Sequence, residues 1–168
     1  MEDVVRELGC LALGSRLKRI GERLQSQAQD LIDSADVDVP SAQFPVLAAL
    51  DRLGPLSIGD LAQSLGVSQP GVTRMVGKLE AAGWLASRRS ADDRRVSTIA
   101  LTAAGRRVVA RSKRDVWPMV EAAVADACAG QSTSLLAQLT ALEDALAATP
   151  LKARVRRGSS AEREDASA

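Results

Sequence analysis

SIGDLAQSLGVSQPGVTRMVGKLEAAGW, residues 57–84, is the stretch that decides the fold. Ser57-Ile58-Gly59-Asp60 has the S-x-x-D form of a capping box, in which side-chain oxygens satisfy the first free N–H groups of a helix. The short helix it opens, Asp60 to Leu65, is stopped by Gly66. Ser68 is placed to cap the next helix, which runs to about Ala82 and is stopped by Gly83. Within that helix Val72, Val76 and Leu79, with Met75 at the margin, recur at steps of three or four and form an inward stripe. Gln69, Pro70, Thr73, Arg74, Gly77 and Lys78 then face outward. A tight turn between two short helices is a unit whose second helix fits the major groove of DNA.

The outward face has the chemistry for that groove. Gln pairs with adenine, Arg with guanine, and the Thr methyl meets a thymine methyl. An ordinary surface helix carrying a few charges is the competing reading. Downstream the period changes from helical to alternating. Trp84 to Arg89 and Val96 to Leu101 read as two strands, with the polar tip Ser90-Ala91-Asp92-Asp93-Arg94-Arg95 between them. Arg88, Arg89, Arg94 and Arg95 make this hairpin basic, and a narrow minor groove attracts guanidiniums at such a tip. Asp93 reads as a brace for the turn, because phosphates repel a carboxylate. The expected fold class is mainly α with a small β-hairpin wing, a winged helix-turn-helix.

Upstream, Leu17, Ile20, Leu24, Ala28 and Leu31 predict one long amphipathic helix from Val4 to about Asp33, followed by a loop ending at Pro40. Phe44, Val46, Leu47, Leu50 and Leu53 predict a second helix, closed by Gly54-Pro55, with either Ser41 capping it or Pro45 setting a later start. Thr102 caps a long helix through Val108, Val109, Val116, Val120 and Val124, and Leu135 to Leu146 mark a last one. The chain thus divides into an N-terminal helix (1–36), the reading domain (41–101), C-terminal helices (102–148) and a polar tail, 150–168, read as disordered. Arg154, Arg156 and Arg157 in that tail either add phosphate contacts or keep the end soluble.

The 168 residues carry a formal net charge of only +1, but the charge is not evenly spread. Residues 67–114 hold eleven basic and three acidic side chains, between two mildly acidic flanks. Such a block marks an anion-binding surface, with a solvated charged face as the alternative. The chain has no histidine, which removes most transition-metal sites and any Ser-His or Cys-His nucleophile. It also lacks a phosphate-cradling glycine loop. An enzyme is not expected, and no metal or cofactor is called for. No apolar run is long enough to span a membrane, and the acidic N-terminus lacks the order of a secretory signal, so the expected location is cytoplasmic and nucleoid-associated.

Ser57 to Ala62, Val72 to Leu85, Asp93-Arg94-Arg95 and Leu101-Thr102-Ala103-Ala104-Gly105 together resemble the MarR family of bacterial regulators, over roughly Val4 to Leu146. The resemblance implies a homodimer in which the N- and C-terminal helices pack as a dimerisation region. Each subunit then offers Ser68, Gln69, Pro70, Thr73 and Arg74 on its recognition helix and Asp93, Arg94 and Arg95 on its wing. Pro70-Gly71 replaces residues that are often polar in the family, which changes the bases read rather than the docking mode. The outer helices also carry more apolar surface than one small domain covers, which independently favours a dimer. The implied function is a transcriptional regulator, a repressor, on a palindromic double-stranded operator, released by a small apolar or aromatic effector. A winged-helix module for protein docking or for non-specific chromosome coating is the alternative.

Phe44, Trp84 and Trp117 are the only aromatic residues, so an aromatic-lined effector pocket is poorly supplied. Cys10 sits where the peroxide-sensing branch of the family places its reactive cysteine. The tyrosines that hydrogen-bond that thiol are missing here, and a reactive thiolate needs positive neighbours. A buried structural cysteine is the expectation, with redox sensing the alternative.

Overall fold

The sheet that braces the reading unit has three antiparallel strands in the order β1-β3-β2. It joins β1 (Leu56–Ser57), β2 (Leu85–Arg89) and β3 (Ser97–Leu101). The helices, in chain order, are α1 (Val4–Glu7), α2 (Leu13–Ser34), α3 (Phe44–Leu53), α4 (Ile58–Leu65), α5 (Gln69–Ala81), α6 (Ala103–Asp115), α7 (Trp117–Ala127) and α8 (Leu135–Ala148). This computed structural model describes residues 1–35, 37, 39–89, 97–130 and 133–155, without the side chain of Arg89. They fall into two compact units, Met1–Ala122 and Ala123–Ala168, with the boundary inside α7.

The first unit holds the core. Leu47 and Leu50 of α3, Leu61 of α4, Val72, Val76 and Leu79 of α5, Leu85 and Ile99 of the sheet and Val109 of α6 are all buried in one cluster. The three periodic positions read from α5 therefore point inward as their spacing requires. The hairpin forms in the expected place, with Leu85 opposite Leu101 and Arg89 opposite Ser97. The third strand is an addition. Leu56 and Ser57 pair with Ile99 and Thr98, and a two-residue strand is too short to show any alternation in sequence. Val37 and Val39, in the segment read as a loop, are also buried in the cluster.

Several expected elements differ. The N-terminal helix is not continuous: α1 gives way to a 3-10 turn, Gly9–Ala12, before α2. Gly9 adopts φ +53°, a left-handed conformation that ends a right-handed helix. Ser41 does not cap α3. It opens a 3-10 turn, Ser41–Gln43, and its hydroxyl donates to the Gln25 carbonyl at 2.9 Å, tying this turn to α2. The helix after Thr102 breaks at Val116 into α6 and α7, because Pro118 has no N–H to continue the ladder. Of the tail read as disordered, residues 151–155 are helical, and 156–168 lie outside the described residues.

Within the second unit, α8 is capped by Ser134, whose hydroxyl accepts from the Ala137 N–H at 3.4 Å. Its Leu136 is exposed. No helix among the described residues is long and apolar enough to cross a membrane.

Candidate nucleic-acid interface

Two serine caps and one glycine set the angle between α4 and α5. The Ser57 hydroxyl accepts from the Asp60 N–H at 3.1 Å and donates to the Asp60 carboxylate at 2.7 Å, so the serine caps the helix at Ile58, while the carboxylate meets the Ser57 hydroxyl rather than its backbone N–H as a full capping box requires. Gly66 ends α4 with φ +65°, where a side chain would be strained. Ser68 is extended, and its hydroxyl accepts from the Gly71 N–H at 3.3 Å. Pro70 lies in the first turn of α5, where a missing N–H costs no intrahelical bond.

This cap leaves the first turns of α5 facing out. Ser68, Gln69, Pro70, Thr73, Arg74 and Lys78 are all exposed, while Val72, Val76 and Leu79 opposite them are buried. Thr73 donates its hydroxyl proton to the Gln69 carbonyl at 2.9 Å, which fixes its rotamer. The side chains of Arg74 and Lys78 form no hydrogen bond or ion pair among the described residues. Glu80, the one carboxylate on α5, accepts from the Ser87 hydroxyl on β2. The acid is thus tied to the wing, and the exposed cations on the helix keep their charge uncompensated.

The wing is locked to the end of α5 by the Thr102 side chain. Its hydroxyl accepts from the Gly105 N–H at 3.0 Å, capping α6, and donates to the Gly83 carbonyl at 2.7 Å. Gly105 explains itself here: a Cβ would sit 2.1 Å from the Trp84 carbonyl oxygen, so only glycine lets α6 approach β2. The Leu-Thr-x-x-Gly run is therefore a clasp between helix and wing, with no demand for ligand chemistry. Arg88 is exposed on β2, and Arg89 ends that strand. Asp93, Arg94 and Arg95 lie outside the described residues, so the tip itself adds nothing to the geometry.

Cys10 is exposed rather than buried. The left-handed Gly9 turns the chain at this point, and Ala12 is the residue of the 3-10 turn that enters the interior. Cys128 is half-buried. Two of the three aromatic rings do meet: Phe44 stands edge-on to Trp117 with centroids 6.1 Å apart, and the Lys113 ammonium lies 5.9 Å from the Trp117 centroid. Lys113 also pairs with Asp51, so this cluster clamps α6 to α3. No group of potential metal ligands occurs among the described residues.

A capped helix pair with an exposed polar second helix, closed by an antiparallel basic hairpin, defines a winged helix-turn-helix. Comparison with known proteins narrows the class. The MarR family profile matches residues 37–96. The chain is similar to CouR, a transcriptional repressor solved bound to a 23-mer DNA duplex, with 30% identity over 84% of this chain and 95% of that one and a TM-score of 0.61. It is also similar to BpsR of Bordetella bronchiseptica, whose DNA binding is regulated by 6-hydroxynicotinic acid, with 26% identity over 80% of this chain and 91% of that one and a TM-score of 0.64. The HTH-type transcriptional regulator YpoP of Bacillus subtilis is 26% identical over 93 residues, 55% of this chain and 64% of YpoP. The match thus covers less than two thirds of that curated relative's length. The protein belongs to the MarR family of winged helix-turn-helix regulators.

Proposed function

We propose that the protein is a DNA-binding transcriptional regulator, a repressor that acts as a homodimer on a palindromic operator. The observation that carries this reading is the face of α5. Gln69, Thr73, Arg74 and Lys78 stand exposed on the side opposite the buried Val72, Val76 and Leu79, and the helix's one acid is held away by Ser87. On this reading α5 enters the major groove, Arg74 reads a guanine, and Lys78 meets a phosphate. Arg94 and Arg95 of the wing reach the minor groove, with Arg88 and Arg89 behind them near the backbone. The dimer places two such helices about 34–36 Å apart, on successive turns of the duplex. Residues 1–36 and 102–148 supply its contacts.

The DNA duplex on CouR and the ligand control of BpsR support, for this chain, an operator and release by a small effector. The reading needs no catalytic chemistry, and it puts the protein on the nucleoid in the cytoplasm.

Selection from a random duplex library, with the chain's own upstream region included, tests it. The wild type is expected to enrich a palindrome and to bind it with a steep salt dependence, and Arg94→Ala/Arg95→Ala to weaken binding about tenfold or more. Binding without a consensus would instead favour chromosome coating, and no binding at low salt would favour a protein-docking module.

A further inference from the structure

Among the described residues, the hydrogen bond from Ser87 to Glu80 is the outermost tie between α5 and the hairpin. The other ties lie at the hairpin's base. The Trp84 N–H donates to the Leu79 carbonyl at 3.0 Å, and the Thr102 N–H and hydroxyl donate to the Trp84 and Gly83 carbonyls at 2.9 and 2.7 Å. The ladder begins just beyond them, with Leu85 opposite Leu101. Ser87 lies two residues further out, about 7 Å along the strand at about 3.3 Å per residue. β1 steadies β3 by pairing with Thr98 and Ile99, but β2 is the edge of the sheet and packs beside α5. A ribbon held only at its base can swing. A second attachment further out on its edge strand fixes its direction against the helix.

The sequence explains why these two side chains meet. Glu80 is half-buried in the last turn of α5. One turn before it stand Val76 and Gly77, and one turn after it Gly83 and Trp84, so no cation sits at helical spacing to pair with the carboxylate. Ser87 alternates with the buried Leu85 and stands opposite the buried Ile99, which puts its side chain on the core face of the sheet. Ser87 itself is exposed, so the apolar core ends before it. A hydroxyl at this position reaches the helix, and a carboxylate acceptor makes the bond charge-assisted.

We propose that Glu80 and Ser87 are positioning residues for DNA recognition, their hydrogen bond setting the direction of the wing relative to α5 before DNA is met. The inference rests on the regulatory reading of α5 and the wing. A helix in the major groove and a wing in the minor groove must engage together, so their relative direction has to match the duplex. A wing already held in that direction needs less ordering on binding. Neither side chain contacts a base in this account; both act through the arginines that follow Ser87 in the chain.

Ser87→Ala removes the bond without changing charge, and Ser87→Thr restores the hydroxyl. In the free chain, amide residual dipolar couplings sense direction and its averaging out to milliseconds. Ser87→Ala is expected to shrink those of Arg88 and Arg89, to leave those of Thr73 and Arg74 at wild-type values, and to keep the urea midpoint. On the selected operator Ser87→Ala is expected to bind about two- to tenfold more weakly, the worth of one net hydrogen bond, and Ser87→Thr to recover the loss. In the Arg94→Ala/Arg95→Ala background Ser87→Ala is expected to cost nothing further, because the side chains it aims are gone. An equal loss in both backgrounds would overturn the proposal, since the serine would then act outside the wing. So would wild-type affinity or unchanged couplings in Ser87→Ala, or Ser87→Thr binding as weakly as Ser87→Ala. A wild type that finds no operator would remove the regulatory reading, and the couplings alone would then decide the positioning: shrunken in Ser87→Ala they support it, unchanged they overturn it.

Discussion

Helices α2 and α5 carry the same kind of pattern and come to opposite ends. Each repeats apolar residues at steps of three or four. In α5 the stripe is satisfied within the chain, with Val72 and Leu79 fully buried and Val76 nearly so. In α2 only Ile32, near the C-terminal end, is buried, while Leu13, Leu17, Ile20 and Leu24 stay 37–45% exposed. The difference lies in what each helix has beside it. α5 packs on α4, α3 and the sheet, so its polar face is what remains for a ligand. α2 offers its apolar face to solvent in the single chain, and a contiguous apolar stripe left in water is a place for a second chain. One helix is finished by folding, and the other is the one that the proposed homodimer would cover.

Substitutions at matched positions separate these roles. Leu79→Ala empties a fully buried site and is expected to destabilise the fold by about 3 kcal/mol in urea unfolding, within the usual range for core leucines. Leu17→Glu/Ile20→Glu is expected to leave the single-chain fold intact by circular dichroism, with a change within about 0.5 kcal/mol typical of surface sites. In light scattering the same variant is expected to fall from about twice 17.7 kDa to the single-chain mass, whereas Leu79→Ala keeps the dimer at temperatures where it is folded. A wild-type monomer at micromolar concentration would remove the assembly role of α2. The smallest effect belongs to the cap: Ser68→Ala loses one bond to the Gly71 N–H and is expected to cost about 1 kcal/mol in the same urea assay. A cost near zero would mean that packing, rather than the cap, fixes where α5 begins.

The reading unit was legible because its signals are local. A capping serine, a stopping glycine and a helical stripe act within a few residues, and Ser57, Gly66, Ser68 and Val72 all act as their positions require. What was missed depends on partners distant in sequence or on single backbone angles. β1 exists only because β3 lies beside it, and Val37 and Val39 are buried only because the folded domain closes over them. Gly9 was indistinguishable from a tolerated helix glycine until its angle was known, and with it went the burial expected for Cys10. Pro118 was a visible signal that the valine periodicity of α6 and α7 obscured.

The most direct measurement compares wild type and Arg74→Ala on the selected operator and on a scrambled duplex, each across a salt series. If α5 reads bases, Arg74→Ala is expected to lose about ten- to a hundredfold in affinity for the operator and much less for the scrambled sequence, so that the specificity ratio collapses. Equal losses on both duplexes, with a salt slope lower by about one, would make Arg74 a phosphate contact. An unchanged operator affinity would contradict the placement of this helix face against DNA.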